Sequence, residues 1–159
     1  MADRHRGCTT LDFHHETFSE AIEEARPLLV EHWREIAQDR DTVPLEPDWH
    51  TYRLLERAGL LDITTARDHG RLVGYACYIV APNLHYQSLT VAEADIFFLR
   101  PEYRQGWTGF RLLQAAERHL VAAGASRILN RFKTDHDLGP LFRRLGYRPI
   151  EHVYAKTVR

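Results

Sequence analysis

Residues 100–120, RPEYRQGWTGFRLLQAAERHL, read as the end of a strand, a turn carrying two glycines and the start of a helix. The helix extends from about Gly106 to Ala123, with Phe110, Leu113, Ala116 and Leu120 as its apolar stripe and Gly124 as its stop. A helix N-terminus leaves backbone N–H groups without acceptors and concentrates about half a positive charge there. Glycines let a ligand approach that backbone closely, so the turn is suited to an anion such as a pyrophosphate. Arg104 adds a full charge and Thr108 a hydroxyl. A plain strand–turn–helix connection would use glycine in the same way, and local spacing leaves both readings open. The stretch is neither a P-loop, since no Gly-Lys-Ser/Thr follows, nor a Gly-x-Gly-x-x-Gly dinucleotide fingerprint.

Outward from this stretch the periodicity alternates between strand and helix. Upstream, LLDITTARD (60–68) and RLVGYACYIV (71–80) read as strands joined by a turn at His69-Gly70, and LTVAEADIFFL (89–99) as a third. Downstream, SRILNRF (126–132) reads as a strand, LGPLFRRLG (138–146) as a short helix, and YRPIEHVYAKTV (147–158) as a final strand. Near the start, Thr17 and Glu20 have capping-box spacing, and Ile22, Ala25, Leu29, Trp33 and Ile36 follow at helical intervals. Pro27 predicts a kink there, or a helix that begins near it. Asp48 can cap a second short helix carrying Trp49, Tyr52 and Leu55, after a proline-bearing loop at residues 38–48. The strand–helix–strand order in the second half requires a parallel pair. The fold class is α/β, a single mixed sheet with helices on both faces, built as one domain over residues 1–159.

Composition excludes several functions. With 159 residues, 44% apolar and 27% charged, the chain is long enough to bury a core without disulfides. A formal net charge of −1 argues against a nucleic-acid or anionic-membrane binder, which would carry a large basic excess. Cys8 and Cys77 form no disulfide framework, and Cys77 lies in an apolar run where cysteine acts as a small hydrophobe. No stretch reaches the ~18 apolar residues of a membrane span, and MADRHRG lacks the character of a signal peptide. A cytoplasmic protein is expected.

The opening stretch resembles the acetyl-CoA-binding motif of the GNAT N-acetyltransferases, Val-x-Pro-x-Tyr-Arg-x-x-Gly-x-Gly/Ala-x-x-Leu-Leu. Leu99, Pro101, Tyr103, Arg104, Gly109, Leu112 and Leu113 match it, while the family's middle glycine falls on Trp107 and a glycine stands one place earlier, at Gly106. LFRRLGY (141–147) is similar to the family's FYEKLGF. More loosely, DHDLGPLFRRLGY with the Gly-Trp-Thr-Gly loop resembles members encoded by bacteriophages and prophages. The resemblance implies transfer of an acetyl group from acetyl-CoA to a primary amine, with no metal. It implies that the CoA pyrophosphate is held at Leu99, Arg104, Gln105, Gly106, Trp107, Thr108 and Gly109, chiefly through backbone amides. It also implies that the central strand and its parallel partner splay apart, with the pantetheine arm in the gap. The Trp107 indole is expected over the CoA or on the neighbouring sheet edge.

Proton transfer needs a base for the amine and an acid for the departing thiolate. The family often uses a glutamate on the central strand, and Glu93 stands six residues before Leu99. Alternation puts Glu93 and Asp95 on one face, where two neighbouring carboxylates would favour retention of a proton by one of them. A solvated sheet face would carry the same pair idly. The family's usual acid is a tyrosine at the position occupied here by Phe142, which cannot donate. Tyr147, Tyr154, His136 or a water are the replacements. His136 titrates in a suitable range, yet flanking Asp135 and Asp137 equally suit a loop or cap residue. The HHE run at 14–16 shows no further metal ligands. Trp49 and Tyr52 suit helix packing or the wall of an acceptor pocket. Arg131 and Lys133 lie beside the expected cofactor gap. The acceptor is a small-molecule or protein amine, with cationic amines mildly preferred. Because dimerisation is common in the family, a homodimer stays open. The alternative function is a catalytically inactive GNAT-like acyl-CoA-binding or protein-interaction module, motivated by Phe142.

Overall fold

Within the described residues, which are 11–38, 41, 43–156 and 158 of this computed structural model, the first helix starts on a closed capping box. The Thr17 hydroxyl accepts the Glu20 amide at 3.2 Å, and the Glu20 carboxylate accepts the Thr17 amide at 2.8 Å. Cys8 lies outside the described residues. The chain then runs as β1 (Leu11–His15), α1 (Phe18–Ile36), α2 (Trp49–Arg57), β2 (Leu61–Asp68), β3 (Arg71–Pro82), β4 (Thr90–Leu99), α3 (Thr108–Ala122), β5 (Arg127–Leu129) and α4 (Gly139–Arg144). A 3-10 turn at Pro101–Tyr103 joins β4 to the loop before α3. The helix α1 is assigned as continuous with Pro27 inside it, so it neither ends nor begins at the proline. Asp48 caps α2, its carboxylate accepting the Thr51 amide at 3.0 Å.

The five strands form one sheet in the order β1-β2-β3-β4-β5. The first three pairings are antiparallel, and β4 with β5 is parallel. At the β2–β3 turn both His69 (φ 48) and Gly70 (φ 83) take left-handed backbone, as a tight two-residue hairpin requires. The middle of β3 is buried almost without interruption, as expected of a strand covered on both faces. On one face α3 buries Leu112, Leu113, Ala115, Ala116 and Leu120 against a core that includes Ala66, Val73, Tyr78 and Ala92. On the other face α1 and α2 bury Phe18, Ile22 and Leu28 against Ile63, Cys77, Tyr75 and Phe98. Gly74 marks where β4 comes closest to β3: an added Cβ would stand 2.8 Å from the Phe98 carbonyl oxygen.

Three features differ from the expectation. Phe110 is only half-buried and packs on Trp107, so Leu112 takes its place in the core stripe of α3. The strand expected at 126–132 is limited to Arg127–Leu129. The final strand expected at 147–158 is absent among the described residues there. Its apolar side chains, Ile150, Val153 and Tyr154, are exposed. Strand propensity needs a neighbouring edge to become a strand, and the short β5 offers little edge to extend.

Candidate active site

The parallel pair is a fork. Its register is Val91–Arg127, Ala92–Ile128 and Glu93–Leu129, and there it stops. Beyond Glu93, β4 continues to Leu99 while residues 130–132 leave the sheet, so among the described residues no strand lies beside that edge of β4. Unpaired N–H and C=O groups there are available to an extended, amide-bearing ligand. In the same region β4 is irregular: Ala94 pairs with Tyr78 and Ile96 with Cys77, leaving Asp95 as an extra residue. Such a bulge re-aims side chains. Ala92 and Ala94 face the α3 side and Ile96 the α1–α2 side.

The loop after β4 leads into a helix start whose first amides lie outside the helical ladder. The first bond of the α3 ladder runs from the Arg111 amide to the Trp107 carbonyl at 2.9 Å, so the amides of Thr108, Gly109 and Phe110 precede the ladder. Trp107, in the capping position, offers no side-chain cap. Gly106 has φ 65 and nothing within 4 Å of where a Cβ would stand, so the turn is open on that side. This backbone suits an anion.

The side chains of the loop have partners within the protein. The Arg104 guanidinium donates to both carboxylate oxygens of Glu35 on α1 at 2.6 Å, and to the Leu99 carbonyl at 2.6 Å. Its charge is therefore matched within the protein rather than left for a phosphate, and the same hydrogen bonds hold the Glu35 carboxyl below the usual range. The Arg104 amide is also engaged, donating to the Pro101 carbonyl at 3.1 Å. The Thr108 hydroxyl turns back to the Gln105 carbonyl at 3.3 Å. The Trp107 indole packs edge-on to Phe110 and beneath the Arg144 guanidinium, 4.5 Å from its ring centroid. Arg144 of α4 thus supplies a cation beside the loop that the sequence pattern did not single out.

At the fork, the two central-strand carboxylates have separate partners. Glu93 forms an ion pair with Arg131, just after β5. Asp95 accepts a short hydrogen bond from the Tyr52 hydroxyl of α2. Burial first, and then this bond to Asp95, raise the Tyr52 phenol well above its ordinary value, so it stays a proton donor at neutral pH. Tyr52 also stacks on Phe18, with ring centroids 5.4 Å apart, and lines a cavity between α1, α2 and the sheet. Tyr147 lies on the α3 side near Tyr78 and Asn130, and burial followed by its hydrogen bond to Glu117 pushes its phenol up. The Tyr78 hydroxyl donates to Asn130 Oδ1 at 2.8 Å. Phe142 is buried between Phe132 and Tyr147 and carries no proton. His136 is on the surface, its Nδ1 3.3 Å from Asp135. It lies near Glu35, whose carboxylate it helps to stabilise, and is not placed with Glu93 or Asp95. Tyr154 is exposed.

A cavity of about 450 Å3 lies between α1, the start of α2 and the sheet, and reaches Ile96 and Lys133. In the HHE run, Glu16 is bound by Arg67 at 2.7 Å and His15 faces Asp62 at 3.2 Å. Among the described residues no group of three or more His, Cys, Asp or Glu side chains is arranged to hold a metal ion, and no helix is long and apolar enough to cross a membrane.

A single mixed sheet with a forked parallel pair, followed by the uncapped start of α3, is the arrangement of an acetyltransferase-type fold. The model of the acetyltransferase (GNAT) family matches residues 20–147, and the chain belongs to that family. Solved structures of the same fold include a transcriptional regulator from Bacillus halodurans C-125, with TM-score 0.73 and 15% identity over 94% of this chain and 100% of that one. A ribosomal-protein-alanine N-acetyltransferase from Brucella melitensis biovar Abortus 2308 matches with TM-score 0.69 and 16% identity over 94% and 100%. The aminoglycoside N-acetyltransferase AAC(6')-Iy in complex with CoA matches with TM-score 0.69 and 16% identity over 93% and 99%. No curated protein matches the chain significantly by sequence.

Proposed function

We propose that this protein transfers the acetyl group of acetyl-CoA to a primary amine by direct attack within a ternary complex. The observation that carries the reading is the uncapped start of α3, its leading amides free of the helical ladder, set after a β4 whose edge beyond Glu93 has no strand beside it among the described residues. The CoA pyrophosphate sits on the amides of residues 105–109, where the aligned helix dipole favours it. The pantetheine arm uses the unpaired edge of β4 as an added strand would, which brings the thioester to the fork near Glu93. The aminoglycoside enzyme of the same fold binds CoA, consistent with this assignment.

The attacking amine must be neutral. Glu93, or Asp95 with Tyr52, takes its proton directly or through water, and the nitrogen then attacks the thioester carbonyl. A donor returns a proton to the leaving thiolate. Tyr147, protonated and on the α3 side near Asn130, is the donor proposed, with His136 as the alternative. Cys77 is buried, and that burial raises its thiol far above neutrality, which opposes a covalent acyl-cysteine route.

The test is release of CoA thiol from acetyl-CoA with a broad amine panel, followed by Glu93→Gln. Thiol release that persists unchanged in Glu93→Gln removes Glu93 as base. A second reading, a binding module without turnover, draws on Phe142, packed among aromatic rings where the family's tyrosine would stand. Tight CoA binding with no turnover on any amine would favour it.

A further inference from the structure

We propose that the acceptor is a primary amine on an apolar aliphatic or aromatic body, and that the cavity between α1, α2 and the sheet encloses that body. This rests on the acetyltransferase reading and narrows it to a substrate class. The volume, about 450 Å3, is within the range of small-ligand pockets. Its walls are aromatic and aliphatic, including Phe18, Ile22, Leu29, Trp33 and Trp49, and its lip is Val43, Pro44, Leu45 and Pro47. Among the described residues, the formal charges in the lining are one of each sign, Glu46 and Lys133. His32, also in the lining, is kept neutral at pH 7 by burial, its ring held down at about 4.

Charge count decides between acceptor classes. A polyamine or an aminoglycoside carries several ammonium groups, and taken into this cavity they would lose water with Glu46 as the one carboxylate in the lining among the described residues. An apolar body gains from the same walls, by roughly fourfold in affinity for each methylene buried. The fork offers the nitrogen a polar destination. Tyr52 lines the cavity and hydrogen-bonds Asp95, and Ile96, next in the chain, lines it too. An amine whose body fills the cavity therefore presents its nitrogen to the carboxylates of the fork, where the thioester is expected.

The experiment is steady-state turnover with a series from n-propylamine to n-hexylamine and with 2-phenylethylamine, against spermidine, kanamycin and a peptide with N-terminal alanine. The expected result is a kcat/KM that climbs about fourfold per methylene and exceeds that of spermidine, kanamycin and the peptide. A flat or falling series, or preference for any of those three, overturns the inference. Calorimetric titration of hexylamine and spermidine into CoA-saturated protein reads the cavity even without turnover. Hexylamine binding with spermidine silent supports the inference, and hexylamine silence overturns it while leaving CoA binding intact. Failure of CoA itself to bind would instead strike the acetyltransferase reading. Ala25→Trp, which fills the cavity from α1, is expected to abolish the chain-length dependence, and the wild-type series stands whether or not this variant folds.

Discussion

The guanidinium of Arg104 and the carboxylate of Glu35 form a two-pronged ion pair, both contacts at 2.6 Å, that ties the loop before α3 to the last turns of α1. Both side chains are partly exposed, so solvent screens the attraction. Glu35→Gln is accordingly expected to cost about 1 kcal/mol or less, seen as a fall of a few degrees in melting temperature. CoA affinity should stay within about twofold, because the amides rather than Arg104 are assigned to the phosphates. A tenfold loss of CoA affinity in calorimetry would place this pair in the cofactor site after all.

Stability should fall in mild acid because of His32. Its ring is buried between α1 and the sheet, stacked on Phe98 at 5.0 Å with Nδ1 3.1 Å from the Tyr75 hydroxyl, and burial holds its pKa at about 4 against 6.5 when unfolded. The unfolded chain therefore binds the proton more readily. The stabilisation is complete above about pH 6.5 and is lost as pH falls toward 4, by up to about 3 kcal/mol. Urea midpoints across that window should decline for the wild type, and His32→Phe should flatten the decline. An unchanged slope in the variant would assign the pH dependence elsewhere.

Replacing the carboxylate at the fork should act on the chemical step. Glu93→Gln is expected to lower kcat about a hundredfold with little change in the KM for acetyl-CoA. Tyr52→Phe, which leaves Asp95 without its donor, should raise the KM for the amine and lower kcat more modestly. If Glu93→Gln is silent while an Asp95→Asn variant is not, the base is Asp95.

Trp107 is a built-in reporter. It is 55% exposed, beneath Arg144 and in the capping position of α3. CoA binding should change the intrinsic fluorescence of the wild type, and Trp107→Phe should remove most of that change while keeping the affinity. Arg144→Ala should weaken CoA binding by a few-fold, as befits one exposed cation near a phosphate.

Gly106 takes a left-handed backbone with no neighbour to clash, so any penalty for a side chain is conformational. Gly106→Ala should cost about 1 kcal/mol and slacken the loop. A melting scan and a CoA titration would both register it.

What the sequence revealed was local. The capping box at Thr17 and Glu20, the Asp48 cap and the His69-Gly70 turn each depend on contacts within three residues, and each is present. The order of strands and helices from α1 to α4 followed from periodicity, and the parallel pair from the strand–helix–strand order, while the short first strand β1 gave no comparable signal. Long-range facts were hidden. Arg104 meets Glu35 from 69 positions away, and Tyr52 reaches Asp95 from 43, and no spacing rule encodes either. The bulge at Asp95 is invisible to alternation. The last apolar segment has strand propensity without forming a strand, because propensity records what a residue tolerates, not whether an edge is available to pair with it.

The central claim is that the start of α3 holds the CoA pyrophosphate while the fork of β4 and β5 receives the pantetheine arm. A crystal structure with CoA bound tests it most directly. The account predicts pyrophosphate oxygens within hydrogen-bonding distance of the amides of residues 105–109, and the thiol at the fork beside Glu93. A pyrophosphate bound anywhere else on the molecule would contradict it.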